Sequence, residues 1–384
     1  MPSGVVGVHR YTTFMSSCAG RRRRRGEKRP YAVTLVRDPC DTTTPNLLPV
    51  LRPPTSRSSR VNYTVCVTPL NFRYNNYHQL VEMVEINRMF GAGHFVFYNY
   101  STGPFVRPFF DAYRREGLVT VIPWSIPVPV DVWPPKEGHV PSIHYFGQVA
   151  ALNDCLYRCM GRSTLVVFAD LDEILVPRAH SDWTSMLDAA SRTFQSGPFP
   201  GVYSVRSSFF RTDWPSDEGV SRAAVDRQLT SLLKTSREAK IYEFFVRSKM
   251  IVWPKAVQVV GVHEVPMQMR GTDVVAVEAD VALLHHYRLW FDEGNNPPIV
   301  DRSMHRFADT ILSRVQARYA VVDADKSISS VDDAAVLTPL GDSRRSNART
   351  PNSSMRRTGR GVAAELFKMA RLKMDTTKPT TELE

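Results

Sequence analysis

The sequence has no long apolar run: nowhere do about 18 apolar residues follow one another, the length that predicts a membrane-spanning helix. Residues 1–20 also lack the continuous apolar segment of a signal peptide, because Gly, Ser and His interrupt them. The residues present therefore predict neither a transmembrane helix nor a secretion signal.

Cysteine is scarce as well. The 384 residues include five cysteines and no Cys-x-x-Cys pair, which excludes a small scaffold built on disulfides. Cys155 and Cys159 are four residues apart and share a face if their segment is helical. We expect the cysteines to be buried thiols; a structural disulfide is the alternative if the protein enters the secretory pathway.

Basic charge is concentrated at the two ends of the chain. Residues 1–60 contain 12 Lys/Arg against 3 Asp/Glu, and residues 340–384 contain 10 against 5. Residues 21–25 are all arginine with no aromatic residue between them, which favours a solvated segment over a nucleic-acid site. We expect a disordered basic segment over 1–60, a folded domain over 61–325 and a mostly disordered tail over 326–384, with a short amphipathic helix over 362–374.

Strand and helix patterns alternate in the first part of the folded domain. Strands are predicted over 63–67, 94–98, 118–122 and 165–168, separated by helices that begin at Asn75, Pro104 and Phe146. Such alternation is typical of an α/β fold in which helices flank a mostly parallel sheet and ligands bind at the carboxyl ends of its strands. Further strands predicted over 202–210, 248–252, 257–262 and 281–287 indicate a mixed or antiparallel extension.

The most informative segment is Phe-Ala-Asp-Leu-Asp-Glu at 168–173, which ends an apolar strand. Alternate side chains of an extended segment share a face, so Asp170 and Asp172 are predicted to point together. Paired carboxylates repel each other, and a divalent cation between them relieves that repulsion. The pattern therefore indicates a metal or phosphate site; the alternative is a buried strand that ends in an Asp-rich turn.

Other polar residues lie at predicted element ends. His263 and His286 each follow a β-branched or apolar strand, where a neutral imidazole can complete the coordination of a metal. Gln148 stands near the start of a helix and is free to reach the same site. Lys249 and Arg288 are candidate phosphate partners.

Eight segments carry a family resemblance in order along the chain: 66–70, 80–91, 143–148, 153–157, 168–177, 248–254, 261–264 and 286–288. Together they resemble glycosyltransferase family 92, whose members transfer sugars, notably galactose, from a nucleotide sugar with inversion. The resemblance covers about residues 61–300.

The resemblance implies a GT-A-like fold in which an Asp-x-Asp motif, here Asp170 and Asp172, holds a divalent metal, Mn favoured and Mg the alternative. It also implies that Thr68 to Asn71 contact uridine. Either His263 or His286 is expected as a third metal ligand. The implied partners are UDP-galactose and a glycan or glycoprotein acceptor, with a location in the Golgi membrane or secretory pathway; no nucleic acid is expected.

An inverting displacement needs a base for the acceptor hydroxyl. Glu264 is the first candidate because it adjoins His263 at a predicted strand end, and Asp213 and Glu243 are rivals. One alternative function is a phosphatase of the haloacid dehalogenase type with Asp170 as nucleophile, although that motif usually opens its domain and here three predicted strands precede it. A non-catalytic glycan-binding relative is the other alternative, and the intact acidic motif is evidence against it.

Overall fold

The computed structural model describes residues 31–34, 47–50, 61–132, 136–193, 199–289 and 297–335. The amphipathic helix predicted over 362–374 lies outside them. In chain order the strands are β1 Ala32–Val33, β2 Leu48–Pro49, β3 Val61–Val67, β4 Ala92–Asn99, β5 Val119–Pro123, β6 Ser163–Ala169, β7 Glu173–Pro177, β8 Phe199–Val205, β9 Ser207–Arg211, β10 Ser236–Arg237, β11 Lys249–Val252, β12 Val257–Val259, β13 Met267–Gln268, β14 Thr272–Val277, β15 Ala282–Arg288 and β16 Ile299–Val300. The α-helices are α1 Tyr77–Met89, α2 Arg107–Arg115, α3 Gln148–Cys159, α4 Trp183–Thr193, α5 Arg222–Asp226, α6 Thr230–Leu233 and α7 Ala308–Ala335.

A seven-stranded sheet with the order β14-β8-β11-β6-β3-β4-β5 forms the centre of the domain. Strands β6, β3, β4 and β5 are parallel, β14 is parallel to β8, and β11 runs antiparallel to both of its neighbours. The sheet is therefore mainly parallel, as the alternating sequence pattern predicts.

Helices cover both faces of this sheet. In β3, Val65 and Val67 face one core that includes α1, whereas Cys66 faces a second core formed with α3. Strands buried on both faces are apolar at nearly every position, which explains the continuous apolar runs in the sequence. The predicted α/β class is confirmed.

The second sheet has the order β16-β10-β9-β15-β7 and contains both parallel and antiparallel pairs. The prediction of one strand over 202–210 is wrong, because the chain leaves the central sheet after Val205 and enters the second sheet at Ser207. Arg206 lies at this break, and its carbonyl accepts a hydrogen bond from the Leu284 N–H. Because apolar residues continue through the change from one sheet to the other, their pattern predicts a single strand.

Further differences concern elements that were not predicted and the boundaries of others. Strand β7 was not predicted. The strand predicted over 257–262 ends at Val259, because a turn closed by the Gly261 N–H and the Glu264 carbonyl follows it. Helix α7 extends to Ala335 and so crosses the predicted domain boundary at 325. No helix among the described residues is both long and apolar enough to cross a membrane.

The cysteine prediction needs one correction, because Cys66 and Cys155 form a disulfide. Cys66 points from β3 toward α3, and Cys155 lies on the buried stripe of α3, so their Cα atoms are 6.1 Å apart. That separation lies within the usual disulfide range. Cys159 is a buried free thiol, as expected.

Candidate active site

Three strands bring the acidic segment and its partners together. Asp170 follows β6, and Thr68 follows the neighbouring parallel strand β3, in which Val67 pairs with Ala169. Strand β11 is antiparallel to β6, so its first residue, Lys249, lies at the same sheet edge. The carboxyl ends of β3 and β6 therefore form the site, as the fold class predicts.

Lys249 is buried between two carboxylates. Its Nζ lies 3.1 Å from Asp170 Oδ2 and 3.2 Å from Glu173 Oε2. Burial alone would lower the pKa of Lys249, but both carboxylates outweigh it and the pKa is raised. The ammonium therefore stays charged and fixes the two acidic side chains.

Asp170 is held on both carboxylate oxygens. The Thr68 hydroxyl donates to Oδ1 at 2.6 Å, and Lys249 contacts Oδ2. Burial would raise the pKa of Asp170, yet the Lys249 charge and the Thr68 hydrogen bond hold it below its usual value. Asp170 is thus an ionised carboxylate with a fixed orientation.

Asp172 and His286 form the second half of the site. His286 pairs with Glu173 across strands β15 and β7, and its Nε2 lies 3.3 Å from Asp172 Oδ2. Its Nδ1 lies 3.3 Å from Glu173 Oε1. Burial alone would lower the pKa of His286, but these two carboxylates raise it.

The residues around Asp172 fit a divalent metal. A carboxylate oxygen and an imidazole nitrogen meet at the edge of a cleft. The oxygen suits Mn²⁺ or Mg²⁺, whereas the nitrogen favours a first-row transition metal such as Mn²⁺ over Mg²⁺. Glu173 Oε1 lies 3.3 Å from the other imidazole nitrogen, on the side of the ring that faces away from Asp172. Asp170, in contrast, already has Thr68 and Lys249 as partners.

A cleft of about 370 Å³ opens above these residues. We call it the acidic cleft; its walls include Thr68, Asn71, Tyr74, Tyr145, Asp170, Asp172, His286 and Arg288. Asp170, Asp172, His286 and Arg288 were predicted from the ends of strands, and Thr68 and Asn71 from the family resemblance. Tyr74 and Tyr145 were not predicted.

His263 lies near the site without lining the acidic cleft. Its Nδ1 is 3.2 Å from the Ser248 carbonyl, so that nitrogen carries the proton and donates it. Burial lowers the pKa of His263 to about 4, with a further contribution from Lys249. The ring is therefore neutral, and its Nε2 lone pair is available to a ligand.

The other predicted site residues lie apart from the cleft walls. Gln148 is buried at the first turn of α3, and Glu264 is exposed in the turn after β12. Of the rival bases, Asp213 accepts two hydrogen bonds from Arg211, which lower its pKa, and Glu243 is exposed. Their catalytic and binding roles stay predictions.

Glu173 and Tyr145 are site residues that the sequence did not assign. Glu173 was visible as a third carboxylate, but only the register of β7 against β15 shows that it contacts both Lys249 and His286. Tyr145 has a φ of 41° and begins three consecutive residues in the left-handed region, ending at Gly147. Such strain in non-glycine residues occurs most often at functional sites.

A family comparison decides what kind of protein carries this site. The model of glycosyltransferase family 92 matches residues 61–320. The chain belongs to glycosyltransferase family 92. A curated relative, glycosyltransferase family 92 protein F13G3.3 of Caenorhabditis elegans, is 27% identical over 121 residues. That match covers 32% of this family 92 chain and 24% of the relative.

Solved structures similar to this family 92 chain include S. aureus TarS 1-349 in complex with UDP-GlcNAc, at 10% identity and a TM-score of 0.30, covering 61% of this chain and 60% of that one. Glucosyl-3-phosphoglycerate synthase from Mycobacterium tuberculosis, in complex with Mn²⁺, UDP and glucosyl-3-phosphoglycerate, is 12% identical with a TM-score of 0.25, and the match covers 67% of this chain and 80% of that one.

Membership in family 92 makes the chain a glycosyltransferase, which confirms the resemblance and the predicted enzyme class. It also removes the phosphatase alternative.

Proposed function

We propose that this family 92 glycosyltransferase moves a hexose, galactose favoured, from a UDP-sugar to a glycan hydroxyl with inversion. One observation supports the proposal above the rest: Asp172 and His286 meet at 3.3 Å at the edge of the acidic cleft. Asp172 follows the carboxyl end of the parallel strand β6, the edge of the sheet at which an α/β fold binds a nucleotide.

Asp172 and His286 would hold the divalent metal, Mn favoured. When bound, the metal would neutralise the charge that develops on the departing diphosphate. Arg288 lines the cleft beside them and would contact the same phosphates.

Asp170 would bind the donor rather than serve as the principal metal ligand, because Thr68 and Lys249 fix its carboxylate. Lys249 itself is 1% exposed, so we assign it to orienting Asp170 and Glu173 rather than to contacting phosphate. Thr68 and Asn71 lie on the wall of the cleft where the uridine would bind. Gln148 and His263 do not line the acidic cleft, so they would support the residues that bind the donor without contacting it themselves.

The catalytic base would take the proton of the acceptor hydroxyl. Glu264 remains the first candidate, since it is solvent-exposed and follows His263 directly. Asp213 is a weaker candidate, because its pairing with Arg211 lowers its pKa and makes it a poorer proton acceptor.

The buried Cys66–Cys155 disulfide supports a secretory location, since disulfides persist in oxidising compartments. We therefore propose the Golgi or another secretory compartment as the place of action, with a glycan or glycoprotein as acceptor.

The test is a donor screen on the purified full chain. UDP release from UDP-galactose, UDP-glucose and UDP-N-acetylglucosamine is measured with Mn²⁺ and with EDTA. We expect UDP-galactose turnover that needs Mn²⁺ and falls about 100-fold or more in Asp172→Asn. Turnover of no UDP-sugar, or equal turnover in EDTA, would contradict the proposal.

A further inference from the structure

A second cavity of about 340 Å³ lies next to the acidic cleft. We call it the α1 chamber; its polar walls come from Asn76, Gln79, Glu82, Thr212 and Thr230. It shares Gln79, Leu171, Asp172, Arg288 and Leu289 with the acidic cleft, so the two spaces are contiguous. Asp172 and Arg288 form their common boundary.

The chemistry of the chamber suits a neutral, hydroxyl-rich ligand. Thr212 and Thr230 contribute hydroxyl groups, and Asn76 and Gln79 contribute amides, while Met83 and Ile174 supply apolar surface. Sites that bind small molecules combine apolar walls with a few such polar groups.

Glu82 is a fixed hydrogen-bond acceptor in this chamber. Its Oε1 accepts from the Ser231 N–H at 2.8 Å and the Ser231 hydroxyl at 2.6 Å, and its Oε2 accepts from the Thr230 N–H at 3.0 Å. Burial raises the pKa of Glu82 to about 7, although those hydrogen bonds oppose the shift. Oε1 already accepts two hydrogen bonds, so Oε2 is the oxygen with acceptor capacity left for a ligand hydroxyl.

Inversion places the two substrates on opposite sides of the reacting carbon. The incoming hydroxyl must approach opposite the departing diphosphate, so the acceptor and the nucleotide need separate spaces that meet at the donor sugar. The α1 chamber is a separate space beside the acidic cleft, and the two spaces are joined at Asp172 and Arg288.

We propose that the α1 chamber binds the acceptor, a neutral sugar whose hydroxyls contact Thr212, Thr230 and Glu82. The inference rests on the proposed function, in which the nucleotide sugar occupies the acidic cleft. It assigns Thr212 to acceptor recognition, a role separate from metal and nucleotide binding.

Thr212 gives the sharpest test, because it lines the α1 chamber and not the acidic cleft. Thr212→Leu removes the hydroxyl and adds volume inside the chamber, and Thr212→Ser keeps the hydroxyl as the matched control. UDP release from UDP-galactose is measured with Mn²⁺, alone and with free galactose, glucose, mannose or N-acetylglucosamine. UDP affinity is measured in parallel by titration calorimetry.

We expect at least one sugar to accelerate UDP release by the wild type. Thr212→Leu should reduce that acceleration about tenfold or more, because an unpaired acceptor hydroxyl and a filled site both weaken binding. UDP affinity and the sugar-independent release should remain unchanged, and Thr212→Ser should behave like the wild type.

Three results would overturn the assignment: Thr212→Leu retains the acceleration, Thr212→Leu weakens UDP binding, or no sugar accelerates release although UDP-galactose is hydrolysed. Failure of the wild type to bind UDP at all would instead refute the proposed function on which the assignment depends.

Discussion

Lys249 holds Asp170 through a buried ion pair, with 3.1 Å between Nζ and Oδ2. The same ammonium lies 3.2 Å from Glu173 Oε2, so one cation fixes both carboxylates behind the acidic cleft. Lys249→Met keeps the volume and removes the charge. We expect a loss of about 3–5 kcal/mol in the free energy of unfolding, because two buried carboxylates lose their counter-charge.

Urea denaturation of the wild type and Lys249→Met measures this loss. Lys255→Met is the matched control, since Lys255 is exposed near the same strand and no ion pair to it is present among the described residues. A Lys249→Met protein as stable as the control would show that the ion pair does not hold the two carboxylates in solution.

Thr68 orients Asp170 by its 2.6 Å hydrogen bond. Thr68→Val preserves the shape and removes the donor, so we expect UDP-galactose to bind about tenfold more weakly while the fold is kept. Thr64→Val is the control, because Thr64 lies on β3, the strand that precedes Thr68, and its hydroxyl contacts Ser163. An equal effect of both substitutions on donor KM would point to general damage of β3 instead of a role in the site.

The Cys66–Cys155 disulfide links β3 to α3 across 89 residues of sequence. Its removal in Cys155→Ser should cost about 2–5 kcal/mol of stability and lower Tm, because the unfolded chain gains freedom. Cys159→Ser, which alters only the free thiol, is the comparison. Dithiothreitol should lower Tm in the wild type and leave Cys155→Ser unchanged; an unchanged wild-type Tm would contradict a disulfide in the folded protein.

The buried carboxylate of Asp301 makes the fold less stable as the pH falls into the acid range. It is buried and contacts Arg178 at 2.8 Å and Arg237 at 3.2 Å. Burial alone would raise the pKa of Asp301, but His285, Ser303 and Arg178 outweigh it and the pKa lies below its ordinary value. Its stabilisation is therefore complete above the unfolded pKa, near 4, and is lost as pH falls toward the folded pKa.

Asp301→Asn should accordingly be less stable than the wild type at pH 7, and the difference should shrink steadily below about pH 4. Urea denaturation at a series of pH values measures both. A stability difference that stays constant from pH 7 to pH 3 would mean that ionisation of Asp301 is not the cause.

Much of the first half of the fold followed from periodicity. The four predicted strands before residue 170 and the helices between them are all present, because buried parallel strands and amphipathic helices leave strong patterns. The second half was harder to predict. One apolar run was divided between two sheets at Arg206, and β7 is only five residues long and follows directly on the acidic turn.

Which residues form the candidate site was largely predictable from the sequence, but the contacts between them were not. Asp170 and Asp172 were found from the end of β6 and His286 from the end of β15, although these strands belong to different sheets. That Lys249 lies beneath Asp170 depends on the antiparallel register of β11, which no local pattern encodes. The Cys66–Cys155 pairing likewise depends on which faces of β3 and α3 meet.

The central claim is that Asp172 and His286 hold a metal that binds the nucleotide diphosphate. Titration of UDP into the intact protein by calorimetry, with Mn²⁺ and with EDTA, tests it most directly. The account predicts saturable UDP binding that requires Mn²⁺ and is lost in Asp172→Asn, a variant whose Tm stays near that of the wild type. UDP binding of the same affinity in EDTA, or undiminished in Asp172→Asn, would contradict it.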